Sequence, residues 1–109
     1  MKTDFCVVYV TCPERSSAER IATALVEGRL AACANIVTGV TSVFHWEGRV
    51  DTDPEVLLII KTRSDLLGAL EDRVTTLHDY DVPEIIALPI IGGSRKYLDW
   101  IDESLQPLQ

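Results

Sequence analysis

Residues 36–62 read IVTGVTSVFHWEGRVDTDPEVLLIIKT. Val, Ile, Phe, Trp and Thr crowd both halves of this stretch, and those side chains fit the pleated surface of a sheet. Glu47-Gly48 lies between the halves, where Gly48 can supply the positive φ that a short reversal needs. The stretch therefore reads as a β-hairpin with long arms. On the first arm Gly39 marks a bulge or bend. Beyond it Val40, Ser42, Phe44 and Trp46 share one face, and Thr41, Val43 and His45 share the other. On the return arm Asp51, Asp53 and Pro54 mark a second interruption, a bulge near the sheet rim, before Val56 to Ile60 runs on as a buried central strand. Arms this long outrun the core of a small protein. Their far end, with Phe44 and Trp46 as anchors, then needs cover from a second subunit.

Outside the hairpin the chain alternates strand and helix. Residues 4–11, DFCVVYVT, are nearly continuous in apolar character, which suits a central strand, and Pro13 ends it. Ser16 and Glu19 form a capping-box pattern ahead of Ala18, Ile21, Ala22, Leu25 and Val26 at helical spacing. Gly28 is the expected left-handed stop. A second helix is expected from about Asp65 to His78, capped by Ser64 or Thr62, with Leu66, Leu70, Val74 and Leu77 as its apolar stripe. Glu84 to Ile91 is a last strand, placed at an edge because Pro89 cannot donate to a ladder. Tyr97, Leu98, Ile101 and Leu105 mark a short terminal helix. The order β-α-β-β-α-β-α predicts an α+β fold: a ferredoxin-like split βαβ with an extended hairpin and a C-terminal helix. Right-handed crossovers put both main helices on one sheet face and leave the other for a partner subunit. Residues 1–109 are expected to form a single domain.

The composition narrows the function. The chain has 109 residues, 47% of them hydrophobic, and a net charge of −7. An acidic chain is a poor partner for nucleic acid, which is bound through clustered Lys and Arg. The N-terminus carries no signal-peptide pattern, and no apolar run reaches the length of a membrane span. Three cysteines without a C-x-x-C pair indicate neither a disulfide framework nor a zinc knuckle. Reduced thiols and a cytoplasmic location are the expectation.

The chemistry-bearing residues are few. No P-loop, G-x-G-x-x-G, H-E-x-x-H or G-x-S-x-G motif occurs, and Pro54 breaks the fragment of a calcium loop at Asp51 and Asp53. No nucleophile stands at local spacing from a base, so no enzyme activity is expected. Sulfur and imidazole suit copper or zinc, which singles out Cys33, Cys12 and His78 as metal ligands. Asp79, Asp81 and Glu84 follow His78 closely enough to add oxygen ligands. Each has a plainer reading too: Cys33 as a small buried hydrophobe, His78 as a helix cap, the carboxylates as solvated surface.

Several segments together resemble the CutA1 divalent-cation-tolerance family: Thr11-Cys12-Pro13, Leu30 to Ile36 (LAACANI), Thr41 to Gly48 (TSVFHWEG), Glu55 to Thr62 (EVLLIIKT), His78 to Ile85 (HDYDVPEI) and Tyr97 to Ile101 (YLDWI). The resemblance implies a ferredoxin-like homotrimer similar to the PII signalling proteins, with hairpins packed across subunits. It also implies divalent-ion binding, copper foremost, in cation tolerance without turnover. The alternative it allows is a PII-like scaffold that takes a small molecule or a protein in clefts between subunits. A copper site proposed within the family uses a cysteine at the end of the first strand and two adjacent histidines. Here Val10 holds the cysteine position and Leu77 that of the first histidine, and His78 matches the second. The expected metal ligands are thus His78, Cys33, Cys12 and Glu84, with Cu(II) or another divalent cation bound and no organic cofactor.

Overall fold

The computed structural model describes residues 4–108. The elements are β1 (Phe5–Cys12), α1 (Arg15–Glu27), β2 (Cys33–Trp46), β3 (Arg49–Arg63), a 3₁₀ turn (Ser64–Leu66), α2 (Leu67–Leu77), β4 (Ile85–Pro89) and α3 (Arg95–Ser104). The sheet order is β2-β3-β1-β4 with every neighbouring pair antiparallel, so each helical crossover skips one strand. This is the ferredoxin-like α+β arrangement, with β1 inside the sheet and Pro89 on its edge strand.

The apolar run of β1 divides between two faces. Cys6, Val8, Val10 and Cys12 are buried, as are Val56, Leu58 and Ile60 of β3. Ile21 and Leu25 of α1 and Leu70 and Val74 of α2 close over them, each fully buried. Burying one such aliphatic side chain contributes about 1.5–3 kcal/mol, so this layer supplies the main stabilisation. On the opposite face lie Val7, Tyr9, Leu57 and Ile59, only half buried, and Val37, Ile86 and Leu88, exposed.

The hairpin turns at Glu47 and Gly48, with φ of 50° and 79°, between the paired residues Trp46 and Arg49. Two positive φ values in a two-residue loop match the right-handed twist of the strands. Gly39, at φ 81°, sits at the one register shift of the β2–β3 ladder, between Val37 and Val40. The second bulge expected at Asp53-Pro54 is absent. Pro54 pairs with Thr41 inside a continuous strand. There β3 has outrun β1 and keeps only one neighbour, so the missing N–H interrupts no second ladder.

The helix ends differ from expectation. The cap of α1 lies two residues earlier than expected, at Glu14, and no side chain caps its amides. Ser16 Oγ instead donates to the Glu14 carboxylate and Ser17 Oγ to the Glu14 carbonyl. Gly28 is right-handed, and Arg29 takes the left-handed position at φ 56°. A side chain at 28 would stand 3.2 Å from the Ala24 carbonyl, so the glycine is there for close approach. Thr62 caps nothing; its hydroxyl donates to the Leu30 carbonyl at 2.7 Å.

A buried cation fastens α3 to the sheet. The Arg63 side chain is 2% exposed and donates to both Asp65 carboxylate oxygens, to Asp102 Oδ1 at 2.9 Å and to the Gln106 carbonyl at 2.7 Å. Phe5, Leu66, Ile101 and Leu105 pack in the second apolar cluster. Arg63→Met keeps the bulk and removes every donor. We expect it to cost about 2–4 kcal/mol in urea unfolding and to speed amide exchange in α3 ahead of the sheet.

Candidate functional site

Beyond the end of β1, the overhanging hairpin and the α2–β4 connection face each other across a groove of about 1030 Å³. The hairpin register builds one wall. Asp51 lies opposite Phe44 and Asp53 opposite Ser42, and the two-residue period brings Glu55 onto the same face. Tyr80, Asp81 and Glu84 supply the other wall, and Trp46 stands toward the hairpin tip. Five carboxylates (Asp51, Asp53, Glu55, Asp81, Glu84) therefore line one groove with no Lys or Arg among its lining residues.

The connection is held by backbone-directed contacts of His78. Its Nδ1 accepts from the Tyr80 N–H at 3.0 Å, so the ring proton is on Nε2. Nε2 then donates to the Thr11 carbonyl at 2.7 Å, at the end of β1. The Tyr80 ring lies 4.9 Å from the imidazole, and its hydroxyl donates to Glu55 Oε2 at 3.1 Å. Arg20 of α1 reaches the Leu77 carbonyl at 3.0 Å and Asp79 at 3.3 Å. Burial, and next the hydrogen bond to Glu55, push the Tyr80 phenol up to about 12. Burial first, then Asp79 and Glu55, push the Cys12 thiol up to about 11.

The expected ligands do not converge. Glu84 is on the groove, exposed. Cys12 and His78 lie close beneath it, Cys12 fully buried and His78 with both ring nitrogens committed to backbone partners. Cys33 is elsewhere. It pairs with Lys61, five residues along β3 from the Val56 partner of Cys12, which is roughly 17 Å of strand. Among the described residues no three His, Cys, Asp or Glu side chains gather closely enough to hold a metal ion. One chain alone thus does not complete the three- or four-ligand set of a strong site. Phe44 is half buried and Trp46 is 60% exposed. The residues missed by motif reading are Tyr80, Glu55 and the Thr11 carbonyl. The alternation of Asp51, Asp53 and Glu55 along one strand is a signal for Glu55 alone.

The site is thus an acidic groove beneath an overlong hairpin, on a ferredoxin-like sheet with one open face. The family model for the CutA1 divalent ion tolerance protein matches residues 6–104, and the chain belongs to that family. It is 56% identical over 98 residues to the chloroplastic protein CutA of Arabidopsis thaliana, an alignment covering 90% of this chain and 54% of the relative. The chain thus spans about half the length of that plant relative. The crystal structure of CutA1 from Oryza sativa superposes with a TM-score of 0.93 at 53% identity over 94% of both chains. The periplasmic divalent cation tolerance protein CutA of Archaeoglobus fulgidus superposes at 0.91 with 42% identity, over 94% of this chain and 99% of that one. These names correct the expectation of a cytoplasmic location. Relatives of this fold are named chloroplastic and periplasmic, and charge and unpaired cysteines do not distinguish such compartments. Addresses are carried by segments outside a folded domain.

The raised pKa values give a pH test. A thiol or phenol that ionises later in the folded state than in the unfolded one stabilises fully below its unfolded value, and that gain is lost as pH rises. Cys6 and Cys12, moved from 9.0 to about 11, and Tyr80, moved from 10.0 to about 12, therefore lower stability between pH 9 and 12. Urea midpoints across this range should fall, and Tyr80→Phe should flatten the part above pH 10.

Proposed function

We propose that the protein serves divalent-cation tolerance by holding divalent ions weakly in the acidic groove, without catalytic turnover. The observation that carries this reading is the set of five groove carboxylates without a lining Lys or Arg. Cu(II) is the tightest binder of a nitrogen-and-oxygen site among the first-row divalent ions, with Zn(II) weaker. Glu84 and its neighbouring carboxylates are the proposed direct ligands. Cys12 and His78 stand behind them, with His78 entering only when its bond to the Tyr80 amide opens. Calorimetry with Cu(II) and Zn(II) on the Cys12→Ser/Cys33→Ser background tests this. Saturable binding, tighter for Cu(II), should weaken at least about tenfold in Glu55→Gln/Glu84→Gln. No saturable binding of either ion overturns it.

The working form is proposed to be a homotrimer, with Phe44 and Trp46 at the interface. The half-covered Val7, Tyr9, Leu57 and Ile59 face and the exposed Val43, Trp46 and Val50 of the hairpin tip support it. Light scattering on the eluting peak should give three times the chain mass. Trp46→Asp should dissociate the assembly or abolish folded protein, because a charge would replace an apolar anchor. A stable wild-type monomer would sink this part.

The incomplete ligand set within one chain favours a second reading, a PII-like scaffold whose inter-subunit clefts take a small molecule or a protein partner. An ordered organic ligand in such a cleft, with no metal affinity, would select it.

A further inference from the structure

Cys33 and Lys61 are directly opposite each other on β2 and β3, so the backbone ladder brings a thiol and a primary amine together on the same side of the sheet. Lys61 Nζ is 3.9 Å from Cys33 Sγ. Asn35, two residues along the same face of β2, accepts from Lys61 and holds the amine over this spot. The other two thiols have no comparable setting. Cys6 and Cys12 are buried, burial pushes both up to about 11, and the cation near Cys12 is the Arg20 guanidinium, a poor nucleophile. Cys33 is only partly buried within one chain, on the sheet face it shares with Val7 and Ile59, so the oxidant that reaches it must be as small as hydrogen peroxide.

We infer that Cys33 and Lys61 form a reversible sulfenamide cross-link between β2 and β3 when the protein meets hydrogen peroxide. Cys33 Sγ, as thiolate, attacks one peroxide oxygen. An S–O bond forms, the O–O bond breaks, and the released hydroxide takes a proton to become water. Lys61 Nζ in its neutral form then attacks the sulfenic sulfur. The N–S bond forms, the S–O bond breaks, and the hydroxyl leaves as water with an amine proton. Sulfur is oxidised and peroxide reduced: one thiol, one amine and one peroxide give one sulfenamide and two waters. A thiol reductant reverses it, restoring Cys33 and Lys61 and leaving its own disulfide. The amine also spares Cys33 from the irreversible sulfinic and sulfonic acids. This inference is independent of metal binding in the groove.

The test uses the full chain, reduced, freed of reductant and exposed to a small excess of hydrogen peroxide. Intact mass should fall by two hydrogens, the Cys33 peptide should map joined to the Lys61 peptide, and dithiothreitol should restore the starting mass. Lys61→Arg keeps the charge and removes the nucleophile; it should lose the cross-link and accumulate sulfinic acid at Cys33. Cys33→Ser should show no mass loss joined at position 61. Wild-type protein that gives sulfinic acid at Cys33 with free Lys61, or a disulfide from Cys33 to any other cysteine, overturns the inference.

Discussion

Along β3 the number of neighbours changes from two to one. From Leu57 to Lys61 the strand is held by β1 on one side and β2 on the other; from Arg49 to Glu55 it is held by β2 alone. The inner half can therefore be wholly apolar on its covered face, while the outer half carries Asp51, Asp53, Pro54 and Glu55. The molecule's length of 47 Å against 25 and 22 Å is largely this overhang. Because β1 stops at Cys12, the hairpin leaves a space beside it, and the α2–β4 connection lines the far side of that space. The groove thus follows from a difference in strand length, closed on its far side by the α2–β4 connection.

His78 couples the two walls. Its ring bridges the end of β1 to the start of the connection, and Tyr80 then reaches the hairpin through Glu55. The same contacts that fix the wall occupy both imidazole nitrogens. The imidazole therefore serves as framework for the groove, holding β1 to the connection through both of its nitrogens.

Much of this was written in local pattern. β1 read as central from its unbroken apolar run, β4 as an edge from Pro89, and the helical stripes of α1 and α2 from their spacing, because each depends on residues within one element. The turn at Glu47-Gly48 was legible for the same reason. The misreadings share a cause: the deciding partner was distant or the backbone choice was subtle. Gly28 looked like a left-handed stop, yet close approach to Ala24 gave it a right-handed conformation and moved the strain to Arg29. Ser16 looked like a cap, but Glu14 takes that place. Arg63 drew no notice in sequence, since its partners Asp102 and Gln106 lie about forty residues on, beyond any periodicity. The groove itself went unread: Asp51 and Asp53 stood as a strand interruption and a broken calcium-loop fragment, because the wall facing them comes from residues about thirty positions on.

The placement of the Arg63 contacts has a bearing on biosynthesis. When Arg63 leaves the ribosome, β1, α1, β2 and β3 are all available to pair, but β1 still has an open edge until Ile85–Pro89 arrives. The guanidinium stays short of partners longer still, until Asp102 and Gln106 are made. At 5–20 residues per second the interval is roughly 2–8 s, long against helix or hairpin formation. A chain that has emerged only as far as residue 101 has every strand free to pair yet leaves this arginine lacking its last acceptors, so the closing residues act as the lock on a fold whose other parts are already in reach.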